Sequence, residues 1–508
     1  MHPYRHAAAT PDKAAIIVAE TGAVMTYAEL DAASNRVAQF FRSKGLAPGD
    51  RVAFFLTNVP DYFALAWGAQ RCGLRFVCIS SKLTVSEVDY ILSDSGAKLL
   101  VAGAPLGSTA AALTTEIERL SLGGDIPGFA PLEPLLAAQP ATPVADETAG
   151  AGMLYSSGTT GRPKGILSAM PADPAIDHAT PLAMLAHGFF GLGPDSVYLS
   201  TAPLYHAAPL GWTMTVHKLG GTVVLMSKFD AEASLRFIEQ YKCNAGQFVP
   251  THFVRMLKLP EEVRARYDVS SLKCAIHAAA PCPVPVKRAM IDWWGPVIDE
   301  YYAGTEANGF TAIKAAQWLE RPGSVGTSIG EAKLHICDED DVSVGPDVEG
   351  TVYFEGPRPF EYHNDPERTA ASRNRHGWTT LGDVGRVDEA GYLFLTDRKS
   401  FMIISGGVNI YPQEIENHLV GHPKVADVAV IGAPHDDLGE QVVAVVQPLD
   451  MADAGDALRE ELIAYARTAL SGPKIPRHID FMAELPRHDT GKLYKRLIRD
   501  AYWAKEVQ

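Results

Sequence analysis

The stretch that most constrains this chain is Ser156-Ser157-Gly158-Thr159-Thr160-Gly161-Arg162-Pro163-Lys164-Gly165. It gathers four hydroxyl side chains, three glycines and a lysine into ten residues. Glycine admits sharp turns and lets the backbone come close to a ligand. Backbone N–H groups, hydroxyls and an ammonium are the donors that polyphosphate oxygens require. The preceding residues 152–155, Gly-Met-Leu-Tyr, predict a short apolar strand. Strand, glycine-rich turn and basic residue together describe a phosphate cradle. It is not a Walker A loop, because the chain holds no G-x-x-x-x-G-K-[ST]. A Ser/Gly/Thr surface linker has no need of the ordered ending Pro163-Lys164-Gly165.

At 508 residues the chain is long enough for two or more domains and a large core. A net charge of −15 opposes non-specific nucleic-acid binding, which draws on a basic surface, and leaves room for a local basic site. Cys72, Cys78, Cys243, Cys274, Cys282 and Cys337 form no C-x-x-C pair, so neither a zinc site nor a redox motif is indicated. Cysteines scattered through a long chain suggest buried, reduced thiols and a cytoplasmic protein. Residues 1–10 lack the apolar core of a signal peptide. No run of about 18 apolar residues occurs, and no membrane span is expected.

Hydrophobic periodicity predicts alternation of helices and strands. Leu30, Val37, Phe40 and Phe41 follow helical spacing over 32–44, which Gly45 and the turn at Pro48-Gly49-Asp50 close. Strands are expected at 51–56, 73–79 and 98–101, with helices at 62–72 and 87–95. Residues 122–150, rich in Pro, Ala and Gly, are expected to be a surface connection. A second block predicts strands at 197–201, 222–226, 247–249, 274–277 and 297–301, with helices at 213–219 and 231–241. Such alternation implies a mostly parallel, covered sheet in each block. Beyond Gly350 short strands with Gly and Asp turns suggest a small β-rich unit, and the last hundred residues suggest a separate α+β domain.

The decapeptide resembles the phosphate loop of the adenylate-forming superfamily, which includes acyl-CoA synthetases, peptide-synthetase adenylation domains and firefly luciferase. Six later stretches are similar to that superfamily's motifs, in its order, so that the resemblance runs from about Thr26 to Lys495. Pro203-Leu204-Tyr205-His206 resembles the segment lining the acyl pocket, which implies Tyr205, His206, Val249 and Ala303 around the acyl group and no anion to hold an α-amine. Ala278-Ala279-Ala280-Pro281 resembles the small-residue turn along the adenine. Tyr302-Ala303-Gly304-Thr305-Glu306 is similar to Y-G-x-T-E, with Ala303 replacing a glycine. The resemblance implies adenine stacking for Tyr302, an α-phosphate hydrogen bond from Thr305 and Mg²⁺ ligation by Glu306. Leu381-Gly382-Asp383 resembles T-G-D, with Leu381 replacing Thr, and implies ribose binding by Asp383. Asp397 to Pro412 is the second long match. It implies ribose and phosphate contact for Arg398, a hinge at Ser400 where Asp or Lys is usual, and passage of the CoA arm beside Gly406 and Gly407. Leu485-Pro486-Arg487-His488-Asp489-Thr490-Gly491-Lys492 resembles the C-terminal signature whose lysine, here Lys492, bridges the carboxylate and the α-phosphate.

The resemblance therefore implies an ATP-dependent carboxylic acid:CoA ligase using ATP, Mg²⁺ and CoA, monomeric or homodimeric. Its ATP site would comprise residues 156–161, Lys164, residues 278–281, Tyr302, Ala303, Thr305, Asp383, Arg398 and Lys492. Its catalytic groups would be Lys492, Thr305, Glu306, His206 and Lys164. The expected architecture is α/β, with a large N-terminal domain (1–398) of two α/β subdomains plus the β-rich unit, a hinge (399–401) and a small mobile α+β domain (402–508). Transfer of the acyl group to an amine or carrier protein, a luciferase-like oxygenase and a non-catalytic nucleotide binder are the alternatives. Composition and patterning alone reach only an α/β nucleotide-phosphate binder with a small C-terminal domain.

Overall fold

The computed structural model describes residues 1–156, 163–356, 360–398, 401–487 and 493–504. Two large sheets share the first four hundred residues, and a third sheet occupies the C-terminal part. The first sheet has eight strands, in the order Glu361–Tyr362, Lys164–Leu167, Ala151–Ser156, Arg75–Cys78, Arg51–Phe55, Leu99–Gly103, Glu118–Leu122 and Ala130–Pro131. From Ala151–Ser156 outward its pairings are parallel, as the strand–helix alternation required. Helix Asp61–Arg71, which connects two of the sheet's strands, packs against helix Tyr27–Ser43. Thr26 and Glu29 form a capping box at its start, and Leu30, Val37, Phe40 and Phe41 are its buried stripe.

The second sheet has thirteen strands. Its parallel centre runs Ile298–Ala303, Cys274–His277, Ala245–Phe248, Val197–Ser200, Thr222–Leu225. Four features depart from the sequence expectation. A hairpin missed in the sequence, Ala14–Val18 with Val24–Thr26, adds an edge to this second sheet through Ile16 opposite Val223. The β-rich segment is also no isolated layer. Lys333–Cys337, Gly350–Glu355, Asp383–Val387 and Leu393–Arg398 continue the same sheet through Ser324–Ser328. The connection expected over 122–150 contains a short helix, Leu132–Ala137, whose Leu132 is buried against the first core. Helix Ala207–Leu219 begins six residues earlier than periodicity indicated, because its first turn, Ala-Ala-Pro-Leu, carries no helical stripe of its own.

The two sheets share one apolar core, in which Tyr27, Phe54, Trp67 and Trp212 are fully covered. The C-terminal part has its own core, with Ile403, Ile415, Val430, Val446, Leu462 and Ile479 between one sheet and helices Pro412–Leu419 and Asp456–Arg467. Among the described residues it touches the larger part through few polar contacts. The Lys258 ammonium donates to the Val425 carbonyl, and the Gln413 backbone N–H donates to Asp397 at 3.0 Å.

Candidate active site

The phosphate-loop stretch joins Ala151–Ser156 to Lys164–Leu167, and these strands are antiparallel neighbours with Ser156 opposite Lys164. Lys164 thus stands at the end of an antiparallel strand pair, opposite Ser156. Ser157, Gly158, Thr159, Thr160 and Gly161 lie outside the described residues, as do Ser400 and Lys492. Ser156 and Arg398 are the last residues of strands Ala151–Ser156 and Leu393–Arg398.

A cavity of about 1300 Å³ opens beside Lys164. Its wall carries Tyr205, His206, Val249, Ala278, Ala279, Ala303, Thr305 and Glu306, so that with Lys164 residues spread over some 140 positions meet around one space. The far wall is apolar, with Leu182, Leu185, Phe189, Leu210, Trp212, Met214 and Phe310. A smaller adjoining cleft of about 430 Å³ is lined by Ala280, Pro281, Tyr302 and Asp383, and it shares Ala279 and Ala303 with the first. Gly406 and Gly407 line neither space. They form the two-residue turn of the hairpin Ile403–Ser405/Val408–Ile410, with φ of +56° and +80°, a conformation that glycine adopts without strain.

His206 is the N-cap residue of helix Ala207–Leu219, with its ring 4.4 Å from that of Tyr205. The positive end of the helix dipole therefore faces this part of the cavity. Glu306 accepts a hydrogen bond from the Tyr362 hydroxyl at 2.9 Å, and the Lys164 ammonium lies 5.9 Å from the centre of the Tyr362 ring. Tyr362 was not legible as a site residue, because nothing local marks a tyrosine 56 positions from its partner. The Tyr302 hydroxyl donates to Asp383 at 2.6 Å, which couples the expected adenine and ribose groups directly. Leu381, which replaces a threonine of the resembled motif, packs so closely on Gly304 that a Cβ there would stand 2.1 Å from its Cδ1. The Leu381 substitution is thus accommodated by the absence of a side chain at Gly304.

The adenine-type turn also has a buried support that the sequence did not reveal. Ala279 holds a φ of +78°, a strained conformation for a residue with a Cβ. Beneath it His277 ends strand Cys274–His277, 3.3 Å from Glu300, and Glu300 accepts from the Lys287 ammonium at 2.6 Å. Burial opposes the Glu300 charge, but Lys287 and His277 outweigh it and hold the carboxyl down to about 2. Burial likewise lowers His277.

A magnesium ion suits Glu306. A hard cation of this kind takes one or two protein carboxylates and fills its remaining positions with water and phosphate oxygens. The Tyr362 hydroxyl bonds Glu306 through Oε1 and leaves Oε2 for a metal. Among the described residues no three His, Cys, Asp or Glu side chains cluster as a metal site.

The chain matches the AMP-binding enzyme family model over residues 4–361 and the AMP-binding enzyme C-terminal domain over 414–492. It is 34% identical to a feruloyl-CoA synthase of Amycolatopsis sp, over 98% of this chain and 97% of that protein. It is 31% identical to a long-chain-fatty-acid–CoA ligase of Mycobacterium tuberculosis, again over 98% of this chain and 97% of that one. The ATP-bound crystal structure of MatB from Rhodopseudomonas palustris superposes with a TM-score of 0.82 at 28% identity, covering 99% of each chain. The phosphate hairpin, the shared cavity and matches spanning both parts of the chain lead to one assignment: this protein belongs to the AMP-binding enzyme family of adenylate-forming enzymes.

Proposed function

We propose that the protein is an ATP-dependent carboxylic acid:CoA ligase, forming an acyl-adenylate and then a thioester. The observation that carries this reading is the single cavity, apolar at one end and lined by Lys164, His206, Thr305 and Glu306 at the other. An acid can lie with its body among Leu182, Leu210 and Phe310 and its carboxylate towards the phosphate hairpin.

In the first step a carboxylate oxygen attacks the α-phosphorus, the bond to the β-phosphate oxygen breaks, and pyrophosphate leaves. Two anions must meet, so the chain's contribution is positive charge and orientation. Lys164 at the hairpin base and Lys492 supply cationic charge. His206 and the helix N-terminus behind it favour the substrate carboxylate. Thr305 donates to the α-phosphate, and Asp383, oriented by Tyr302, accepts from the ribose hydroxyls. Bound magnesium would neutralise phosphate charge beside Glu306. In the second step the CoA thiolate attacks the acyl carbon and AMP leaves. The small domain turns about residues 399–401 between steps, withdrawing Lys492 and bringing Gly406-Gly407 to the CoA arm. The six free cysteines, five of them buried, favour a reducing compartment such as the cytoplasm.

The test is pyrophosphate release over a panel of carboxylic acids, with and without CoA. Release with at least one acid, followed by a CoA thioester, is expected. Release that never leads to a thioester would assign the acyl group to an amine or carrier protein. No release with any acid would remove the ligase reading.

A further inference from the structure

The apolar end of the cavity contains one polar group of three residues from distant strands and a helix. Tyr301, on strand Ile298–Ala303, and Gln247, on strand Ala245–Phe248, are 6% and 7% exposed and stand on the cavity wall with Trp212. The Trp212 indole N–H donates to the Tyr301 hydroxyl oxygen at 3.2 Å, and the Gln247 amide N–H donates to the same oxygen at 3.0 Å. Both acceptor positions of that oxygen are thereby used. Three hydrogen-bonding functions are left over, one of them the second amide N–H of Gln247. The Tyr301 O–H meets no acceptor among the described residues, and Gln247 Oε1 has no partner. A buried donor and a buried acceptor therefore lie side by side unmatched in an otherwise greasy wall, an arrangement that folded proteins rarely leave empty.

We propose that the acid used by this enzyme carries a hydroxyl on the part of its acyl group remote from the carboxylate, read by Gln247 and Tyr301. The inference rests on the ligase reading and deepens it. One hydroxyl supplies both missing halves, since it accepts from the Tyr301 O–H and donates to Gln247 Oε1. The assignment does not depend on which way the amide is turned. With its ends exchanged, Tyr301 donates to the amide oxygen and the amide NH₂ is left over, and a hydroxyl accepts from that as well. The terminal torsion of glutamine is broad, so the amide swings towards a ligand at little cost. The position suits the remote end of an acid. Trp212 lies six residues beyond His206, a rise of roughly 9 Å along helix Ala207–Leu219 from the end expected to face the carboxylate. Tyr301 is held against Phe310 by a stacked contact at 4.8 Å and against Trp212 at 5.7 Å, so its ring is fixed in place.

The experiment compares acids that differ only in that hydroxyl: para-hydroxybenzoate with benzoate, para-coumarate with cinnamate, and ω-hydroxydodecanoate with dodecanoate. The readout is the ratio of kcat/KM in pyrophosphate release within each pair. The expected result is a preference of about tenfold or more for the hydroxylated member in at least one pair, because a site built to bond a hydroxyl rejects the analogue lacking it. Gln247→Leu and Tyr301→Phe should each bring that ratio towards one, an effect that general loosening of the fold does not produce. A ratio at or below one in every pair overturns the proposal, and so does a variant that lowers both members of a preferred pair alike. If no acid releases pyrophosphate, the ligase reading fails separately. The same pairs are then compared by calorimetric binding to the protein, where equal affinities overturn the hydroxyl preference.

Discussion

Glu306 shows what a single side chain needs beyond its own identity. Its carboxylate is aimed by the Tyr362 hydroxyl at 2.9 Å, so metal dependence should respond to either residue. Glu306→Gln exchanges a hard anionic ligand for a neutral amide and should raise the Mg²⁺ concentration for half-maximal pyrophosphate release about tenfold or more, corresponding to about 1.4 kcal/mol. Tyr362→Phe should give a smaller rise in the same direction, and unchanged titrations for both would remove Glu306 from the metal site. His217 makes a different point. It is fully buried, receives the Trp67 N–H at Nδ1 (3.4 Å) and places Nε2 3.2 Å from the Ala15 carbonyl, an arrangement that suits the neutral ring. Burial lowers its pKa to about 3, and the same holds for His252. Between about pH 6.5 and 3 the unfolded chain therefore binds protons that the folded chain does not. Stability falls with pH through that window, by up to about 1.4 kcal/mol per unit for each histidine. Thermal midpoints measured from pH 7.5 downwards should drop, and His217→Gln should flatten the slope whatever its effect at neutral pH.

At the scale of elements, the strained turn after strand Cys274–His277 depends on the charged group below it. Lys287 is fully covered and Glu300 nearly so, and each is the other's charge partner. Removing one partner of such a pair leaves a buried charge alone and costs about 3–5 kcal/mol. Lys287→Met and Glu300→Gln should therefore each lower the thermal midpoint by several degrees and weaken ATP binding. The double substitution should cost less than the sum, since no lone charge remains. Strictly additive losses in the double-mutant cycle would show that the pair does not act as a unit. The hairpin that places Lys164 opposite Ser156 belongs to the same scale. The residue types of the cradle were plain in the sequence, whereas its support by two antiparallel strands depended on which neighbour Lys164–Leu167 chose.

For the whole molecule, the decisive feature is a small α+β part with its own core, joined to the larger part by residues 399–401 and few polar contacts. The proposed rotation of this part between two reaction steps would need such a loose attachment. Ser400→Pro fixes φ near −65° and restricts the preceding residue, and it should hold the protein near one arrangement. The expected outcome is near-normal ATP–pyrophosphate exchange with lost thioester formation. Lys492→Ala should do the opposite, losing adenylation while sparing thioester formation from supplied acyl-adenylate. If Ser400→Pro leaves both steps intact in a folded protein, the bend lies elsewhere.

The sequence by itself determined the residue types gathered at positions 156–165, the strand–helix alternation, the order of the motifs and hence the family. These are local properties, expressed in spacing, hydrophobic period and turn residues that neighbours along the chain share. The tertiary structure alone decided the rest. Pairing of Ala14–Val18 with Thr222–Leu225, the contact of Tyr362 with Glu306, the coupling of Tyr302 to Asp383, the charged support under Ala279 and the Gln247–Tyr301–Trp212 group each join residues that are separated in sequence. Such contacts exist only once sheets have chosen their order and helices their faces, because a side chain's partner is set by packing in space and carries no mark in the residues beside it.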